Sequence, residues 1–157
     1  MRHLLAGVVL LGLAGFVQAQ AQAQTQTQAQ DPAPVLAAAA IDVADLDRSL
    51  AFYQSALGFR KAAAHETPAF KEYILLGPTP NSAGLVIVDK AGDAPVAAGG
   101  TRLVFYVPDA AAAVEKLKSA GATGLREPSS GGSMVIAFGR DPDGYLIELI
   151  ERKAQAQ

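Results

Sequence analysis

The chain carries the same order of strand, helix and three strands twice, and this repeat constrains its fold more than any other feature. In each copy a short apolar strand leads to an aspartate, Asp45 or Asp109, whose side chain can cap the free N–H groups of a following helix. Apolar residues then recur at helical spacing until Gly58 or Gly121, where glycine accepts the left-handed conformation of a helix end. Three apolar stretches separated by Gly, Pro, Asn and Ser follow each helix. The sequence therefore predicts two βαβββ units.

The boundaries of these elements follow from the same patterns. The first copy is predicted to have a strand over 35–43, a helix over 46–57 and strands over 59–64, 70–76 and 85–89. The second copy is predicted to have a strand over 103–107, a helix over 110–120 and strands over 122–126, 134–139 and 145–150. A Gly, Pro and Ala segment over 91–100 is expected to join the copies.

Two segments of the second copy are predicted to be turns. Asp141-Pro142-Asp143-Gly144 is typical of a hairpin turn, because proline fixes φ and glycine accepts the positive φ that follows. The segment 129–133, composed of Ser and Gly, is predicted to be a flexible hairpin turn.

The ends of the chain are predicted to lie outside the folded domain. Residues 1–19 have a basic start, an apolar run and small residues before a cleavage site at 19 or 21, which is typical of a secretory signal peptide. The apolar run of about 14 residues is shorter than the ~20 of a membrane-spanning helix, and a retained N-terminal anchor is the alternative. Residues 20–34 are predicted as a disordered Ala/Gln linker, 35–153 as the domain and 154–157 as a disordered tail. We therefore expect a periplasmic or secreted protein, free of the membrane once the signal is cleaved.

Composition excludes several classes of function. The chain has no cysteine, which excludes disulfides, thiolate metal sites and a cysteine nucleophile. A formal net charge of -2 argues against a nucleic-acid partner. Of the 2 histidines, His3 lies in the signal segment, so His65 is the one left for the domain.

Two motifs resemble a known superfamily. Asp45-Leu46-Asp47-Arg48-Ser49-Leu50-Ala51-Phe52-Tyr53, followed by Leu57-Gly58-Phe59, is similar to the opening of vicinal oxygen chelate (VOC) proteins. This superfamily includes glyoxalase I, bleomycin-resistance proteins and extradiol dioxygenases. The segment 141–149 resembles its closing signature, and the resemblance extends over 36–151. It implies an α+β domain in which two βαβββ units curl into a cleft, commonly in a homodimer. It also makes a loop that closes over the cleft the alternative for 129–133.

The resemblance also implies positions for a catalytic metal, which is nickel or zinc in glyoxalase I. Metal-binding members place four ligands on the first and last strands of the two units. The matching positions here are Ala38, the neighbourhood of Ile87, Arg102 and Glu148, of which only Glu148 is a ligand type. A site needs several convergent donors, so we expect no metal cofactor, with a divalent metal as the alternative.

The resemblance places Arg102 and Glu148 close together, and we therefore predict an ion pair between them where the metal would lie. The pair either holds an anionic or dicarbonyl ligand or fills a vestigial site. His65, at the end of a strand, is a candidate for the rim of the cleft, although a solvated surface position is its simpler interpretation. Tyr73 and Phe105 are candidates for its apolar lining.

The resulting functional prediction is an exported protein, similar to the bleomycin-resistance branch, that binds a small molecule in its cleft without a metal. The alternative is a lyase or isomerase of the glyoxalase type acting on a dicarbonyl or enolisable substrate. In that case Glu148 is the catalytic base and Arg102 stabilises the oxyanion. A third possibility is a structural domain with a filled cleft. An open apolar pocket with Glu148 at its base favours ligand binding or catalysis.

Overall fold

A computed structural model of the protein describes residues 34–92 and 99–153. Its elements, in chain order, are β1 (Ala38–Asp42), α1 (Leu46–Leu57), β2 (Arg60–Glu66), β3 (Phe70–Leu76), β4 (Gly84–Lys90), β5 (Arg102–Tyr106), α2 (Ala110–Ser119), β6 (Thr123–Gly131), β7 (Met134–Arg140) and β8 (Leu146–Arg152).

The strands form two sheets of the same topology. The orders are β1-β4-β3-β2 and β5-β8-β7-β6. In each sheet the first strand of the unit pairs in parallel with the last, and the remaining pairs are antiparallel. The predicted α+β fold of two βαβββ units is confirmed.

The two helix starts are nearly identical in geometry. Asp45 and Asp109 have extended backbones with φ of -151° and -150°, and each side chain accepts a hydrogen bond of 2.9 Å from the N–H three residues later. Gly58 caps α1 in the left-handed conformation with φ of 73°. Helix α2 is capped by Ala120, and the left-handed residue is Gly121 with φ of 91°. The predicted capping aspartates are confirmed.

One face of each sheet packs against the helices, and a single apolar core joins the two copies. The Phe59 and Phe105 rings, one from each copy, meet edge to face with centroids 6.1 Å apart. Side chains of the core include Ile41, Val43, Phe52, Tyr53, Leu75, Ile87, Leu117, Ile147 and Leu149. Because side chains alternate along a strand, the intervening residues lie on the opposite, open face of each sheet.

The structure corrects two predicted boundaries. Strand β1 begins at Ala38, so 35–37 is not part of it. Strand β6 continues to Gly131, and Ser129, Ser130 and Gly131 pair with Ile136, Val135 and Met134 on β7. Residues 129–131 therefore belong to the strand, because their backbone groups pair with β7, and the predicted hairpin turn is confined to Gly132 and Ser133.

Several predictions concern residues outside the described ranges. The signal peptide over 1–19, nearly all of the 20–34 linker, residues 93–98 and the tail over 154–157 lie there. Within the ranges 34–92 and 99–153, no helix is long and apolar enough to cross a membrane.

Candidate functional site

The Arg102–Glu148 pair lies on the open face of the second sheet. Glu148 is on β8 between Ile147 and Leu149, which are fully buried on the helix side, so strand alternation directs the carboxylate to the open face. Glu148 is only 8% exposed, and its Oε2 lies 3.1 Å from Nη1 of Arg102 on β5. The predicted ion pair is confirmed.

Strand register places further side chains in a row with Glu148. Val104 on β5, Glu148 on β8, Phe138 on β7 and Arg126 on β6 are successive register partners across the sheet. The guanidinium carbon of Arg126 lies 5.8 Å from the centre of the Phe138 ring. Strands are spaced about 4.8 Å apart, so the backbone of Arg126, which carries a second cation on this face, lies about 10 Å from that of Glu148. Sequence reasoning missed Arg126, because the irregular pairing of β6 with β7 hides which of its residues share that face.

A cavity of about 300 Å³ lies at the outer edge of β5. Its lining is apolar apart from Arg102 and includes Leu36, Ala39, Phe59, Leu85 and Phe105. Phe105 lies on the helix-facing side of β5, where it packs against Phe59. It shares with Arg102 only the lining of this cavity. The cavity gives Arg102 a partly apolar surrounding that a small organic group could enter.

The structure separates Tyr73 and His65 from this pair. Tyr73 lies on the helix side of β3, where its hydroxyl donates a 3.0 Å hydrogen bond to Asp47 and Lys61 Nζ lies 3.1 Å from its ring centre. His65 is exposed on the first sheet, with its ring 5.9 Å from that of Phe70. Neither residue lies on the sheet that holds Glu148, which corrects the expectation that they share a site with it; packing on α1 decides the position of Tyr73.

The positions that would hold a metal can be tested against these side chains. Internal register makes Ala38 and Val86 the counterparts of Arg102 and Glu148, and Ile87 is instead a buried core residue. Two of the four positions are therefore aliphatic, and a third is a guanidinium that cannot coordinate a cation. The part of the chain that the structure describes holds no group of three or more His, Cys, Asp or Glu suited to a metal. These side chains do not fit a four-ligand metal site.

The turn before β8 contains a buried carboxylate. Asp141 is 2% exposed and accepts hydrogen bonds from the Tyr53 hydroxyl at 2.6 Å and the Tyr145 and Asp143 N–H groups at 2.8 and 3.0 Å. Burial raises the pKa of Asp141 above its ordinary value, although these hydrogen bonds oppose the shift. Burial and the neighbouring Asp141 carboxylate also raise the pKa of Tyr53.

The second aspartate of the turn binds the first copy of the unit. Asp143 accepts hydrogen bonds from the Ser49 hydroxyl at 2.7 Å and the Ala44 N–H at 3.0 Å, and it pairs with Arg48. The segment 141–144 is a turn, as predicted, but its side chains also join the two copies, which its local pattern does not reveal. This network holds the start of the strand that carries Glu148.

Comparison with known proteins identifies a matching family model and relatives of this chain. The family model of the glyoxalase/bleomycin resistance protein/dioxygenase superfamily matches residues 35–149. The lactoylglutathione lyase of Salmonella typhimurium is 37% identical over 118 residues, covering 71% of this chain and 87% of that protein. The lactoylglutathione lyase of Haemophilus influenzae is 39% identical over 122 residues, covering 71% of this chain and 88% of that protein.

Solved structures agree with these matches. Glyoxalase I from Zea mays superposes with a TM-score of 0.63 at 30% identity, covering 76% of this chain, which spans only 45% of the maize chain. An antibiotic binding protein from a Streptomyces species superposes with a TM-score of 0.63 at 23% identity, covering 76% of this chain and 97% of that one. The second likeness concerns the fold alone.

These relatives overturn two expectations. The prediction of a metal-free binding protein is wrong, since relatives matched over 87% and 88% of their length are lactoylglutathione lyases, which favours the alternative of a glyoxalase-type lyase. The prediction of no cofactor is contradicted as well. The lactoylglutathione lyases and the glyoxalase I structure that this chain resembles point to a metal, which in glyoxalase I is nickel or zinc. Sequence reasoning gave too much weight to the missing ligand types and too little to the similarity over the rest of the domain.

Proposed function

Because this chain belongs to the glyoxalase/bleomycin resistance protein/dioxygenase superfamily, we propose that it is a glyoxalase-type lyase. Its substrate class is the adduct of a dicarbonyl compound with a thiol, as the name of the lactoylglutathione lyases it resembles indicates. The observation that carries this proposal is the nearly buried Glu148 carboxylate held 3.1 Å from the Arg102 guanidinium on the open face.

The reaction needs a base and a positive charge in one place. Addition of a thiol to the aldehyde carbon of a 2-oxoaldehyde gives a hemithioacetal. Its conversion to a 2-hydroxyacyl thioester moves one proton from that carbon to the neighbouring carbonyl carbon, and the hydroxyl proton from the oxygen on the first carbon to the oxygen on the second. Glu148 takes the proton from the first carbon, which leaves an enediolate, and returns it to the second carbon. No atom is gained or lost, so the conversion is an isomerisation. In the reverse direction the hemithioacetal is formed first, and its C–S bond then breaks to release the thiol and the 2-oxoaldehyde.

Arg102 supplies the charge that the intermediate requires. The enediolate oxygen carries negative charge, and a guanidinium stays protonated throughout the accessible pH range. Arg102 is about half exposed, so one edge of its guanidinium can contact Glu148 while other N–H groups turn to the substrate. Arg126, on the same face, offers a second cation for an anionic thiol.

An assay with methylglyoxal and glutathione tests the proposal. We expect the purified protein to form the 2-hydroxyacyl thioester, followed by its ultraviolet absorbance, faster than a protein-free control. The assay is run on the protein as purified, after treatment with a chelator, and with nickel or zinc added. Background rates under all of these conditions would contradict the proposed function. Light scattering on the same preparations tests whether the protein is the expected homodimer.

Export of the protein is a separate proposal based on residues 1–19. Their basic start, apolar run and small residues are typical of a secretory signal peptide. We expect the full chain expressed in a Gram-negative host to be recovered from the periplasm with its N-terminus after position 19 or 21. Recovery of an uncleaved chain in the cytosol, determined by N-terminal sequencing, would contradict it.

A further inference from the structure

A further cationic position, besides Arg126, lies on the same open face beyond the Arg102–Glu148 pair. Tyr106, at the end of β5, is 65% exposed, and the guanidinium carbon of Arg152, at the end of β8, lies 4.2 Å from its ring centre. This distance is typical of a guanidinium stacked on an aromatic ring. The stack limits the movement of Arg152 and leaves the N–H groups at the edge of its plane free to donate.

No carboxylate of the described ranges forms an ion pair with Arg152. The adjacent Glu151 points to the other side of β8, where its Oε2 accepts a 2.8 Å hydrogen bond from the N–H of Ala110. Alternation along the strand therefore keeps the nearest acid in sequence away from the arginine. Arg152 is therefore an exposed cation, resting on the Tyr106 ring, that an external anion can approach.

An open cavity of about 510 Å³ lies beside this stack. Its lining consists of Tyr106, Val107, Pro108, Ile150 and Arg152, so Arg152 is the one charged residue in an otherwise largely apolar wall. A charge-assisted hydrogen bond is stronger than one between neutral groups, and a planar guanidinium matches the two oxygens of a carboxylate. The cavity has the chemistry of a site for a carboxylate joined to a small organic chain.

The separation of the two positions matches the size of a thiol peptide. Glu148 and Arg152 are four residues apart on β8, which is about 13 Å along a strand. The thiol of glutathione belongs to its middle residue, so about two extended residues, roughly 7 Å, separate it from a terminal carboxylate, and the arginine side chain covers the remainder. We propose that Arg152, stacked on Tyr106, binds a terminal carboxylate of the thiol half of the substrate while the reacting carbons lie at Glu148. This subsite rests on the proposed function, since it assigns a place to the thiol of that reaction.

Replacing Arg152 with Gln tests the subsite. With the methylglyoxal adduct of glutathione, Arg152→Gln is expected to lower kcat/KM about 10-fold through KM, because a hydrogen bond to a charged group is lost. With the adduct of glutathione diethyl ester, which has no free carboxylate, the variant and the original protein should have the same kcat/KM. An unchanged kcat/KM with glutathione, or an equal loss with both thiols, overturns the proposal.

Matched variants separate the stack from general charge effects. Lys153→Gln removes a positive charge from the next position in the chain and is expected to leave kcat/KM with glutathione unchanged. Tyr106→Leu removes the ring on which Arg152 rests and should raise KM, whereas the conservative Tyr106→Phe should restore it. A Tyr106→Leu variant with the original KM contradicts a role for the stack.

Binding of S-methylglutathione, measured by calorimetry, distinguishes failure of the subsite from failure of the proposed function. Absent turnover in the original protein contradicts the lyase. The subsite still stands if S-methylglutathione binds the original protein about 10-fold more tightly than Arg152→Gln. Equal affinities, or no binding to the original protein, overturn the subsite whatever the activity.

Discussion

The Glu148→Gln variant is expected to lose at least about 100-fold in kcat for thioester formation, since removal of a catalytic base costs about 10²–10⁴-fold. Gln has nearly the same shape but cannot accept the proton from the hemithioacetal carbon. Steady-state rates with the methylglyoxal adduct of glutathione measure the effect. We expect KM to change much less than kcat, because the base acts mainly in the transition state.

The fold should tolerate this change. Arg102 is about half exposed and can be solvated when its partner is neutral, so the free energy of unfolding should change by no more than about 1 kcal/mol. The matched control is Glu115→Gln on α2, where an exposed carboxylate pairs weakly with Lys118 at 3.7 Å. Glu115→Gln should keep the full rate. A Glu148→Gln variant with the rate of the control would mean that another group removes the proton.

The largest loss of stability is expected for Asp141→Ala, at about 4 kcal/mol. The substitution leaves the buried Tyr53 hydroxyl and the Tyr145 N–H without acceptors, and each unsatisfied buried group costs about 1–3 kcal/mol. Denaturation by urea measures the free energy of unfolding of both proteins. A loss below about 1 kcal/mol would show that water replaces the carboxylate at little cost.

Two further variants test the cause of this loss. Asp141→Asn keeps an oxygen for the backbone N–H groups and removes the buried charge, so it should destabilise less than Asp141→Ala. Tyr53→Phe removes one donor while leaving Asp141 its two backbone hydrogen bonds, and about 1 kcal/mol is expected. A double-mutant cycle between positions 53 and 141 then gives their coupling.

The raised pKa of Asp141 predicts the direction of its pH dependence. Below the ordinary value of 3.8 the carboxyl is protonated in both folded and unfolded chains. As the pH rises above 3.8, the unfolded chain ionises first and the folded chain later, so the contribution of Asp141 to stability falls until the raised pKa is passed. The stability difference between the original protein and Asp141→Asn should therefore decrease with rising pH over this window.

Much of the fold could be predicted from the sequence because its signals are local. Asp45 and Asp109 cap helices through N–H groups only three residues away, and the left-handed position of Gly58 depends on the adjacent turn. The repeat of these signals identified two βαβββ units. The Arg102–Glu148 pair came from the resemblance of the two end motifs to the superfamily. Similarity over the domain as a whole, rather than its ligand residues, favoured the lyase.

Only the tertiary structure decided which distant residues meet. The irregular pairing of β6 determines that Arg126 lies in the same row as Glu148, and the parallel register of β5 and β8, which pairs Tyr106 with Ile150, brings Tyr106 to Arg152. The hydrogen bond from Tyr53 to Asp141 joins residues 88 positions apart. Local sequence determines how each segment hydrogen-bonds with itself, whereas register and the packing of helices on sheets determine which side chains share a face. The helices, strands and repeat therefore followed from sequence, while the full extent of the open face and the buried aspartate network depended on how the two copies pack.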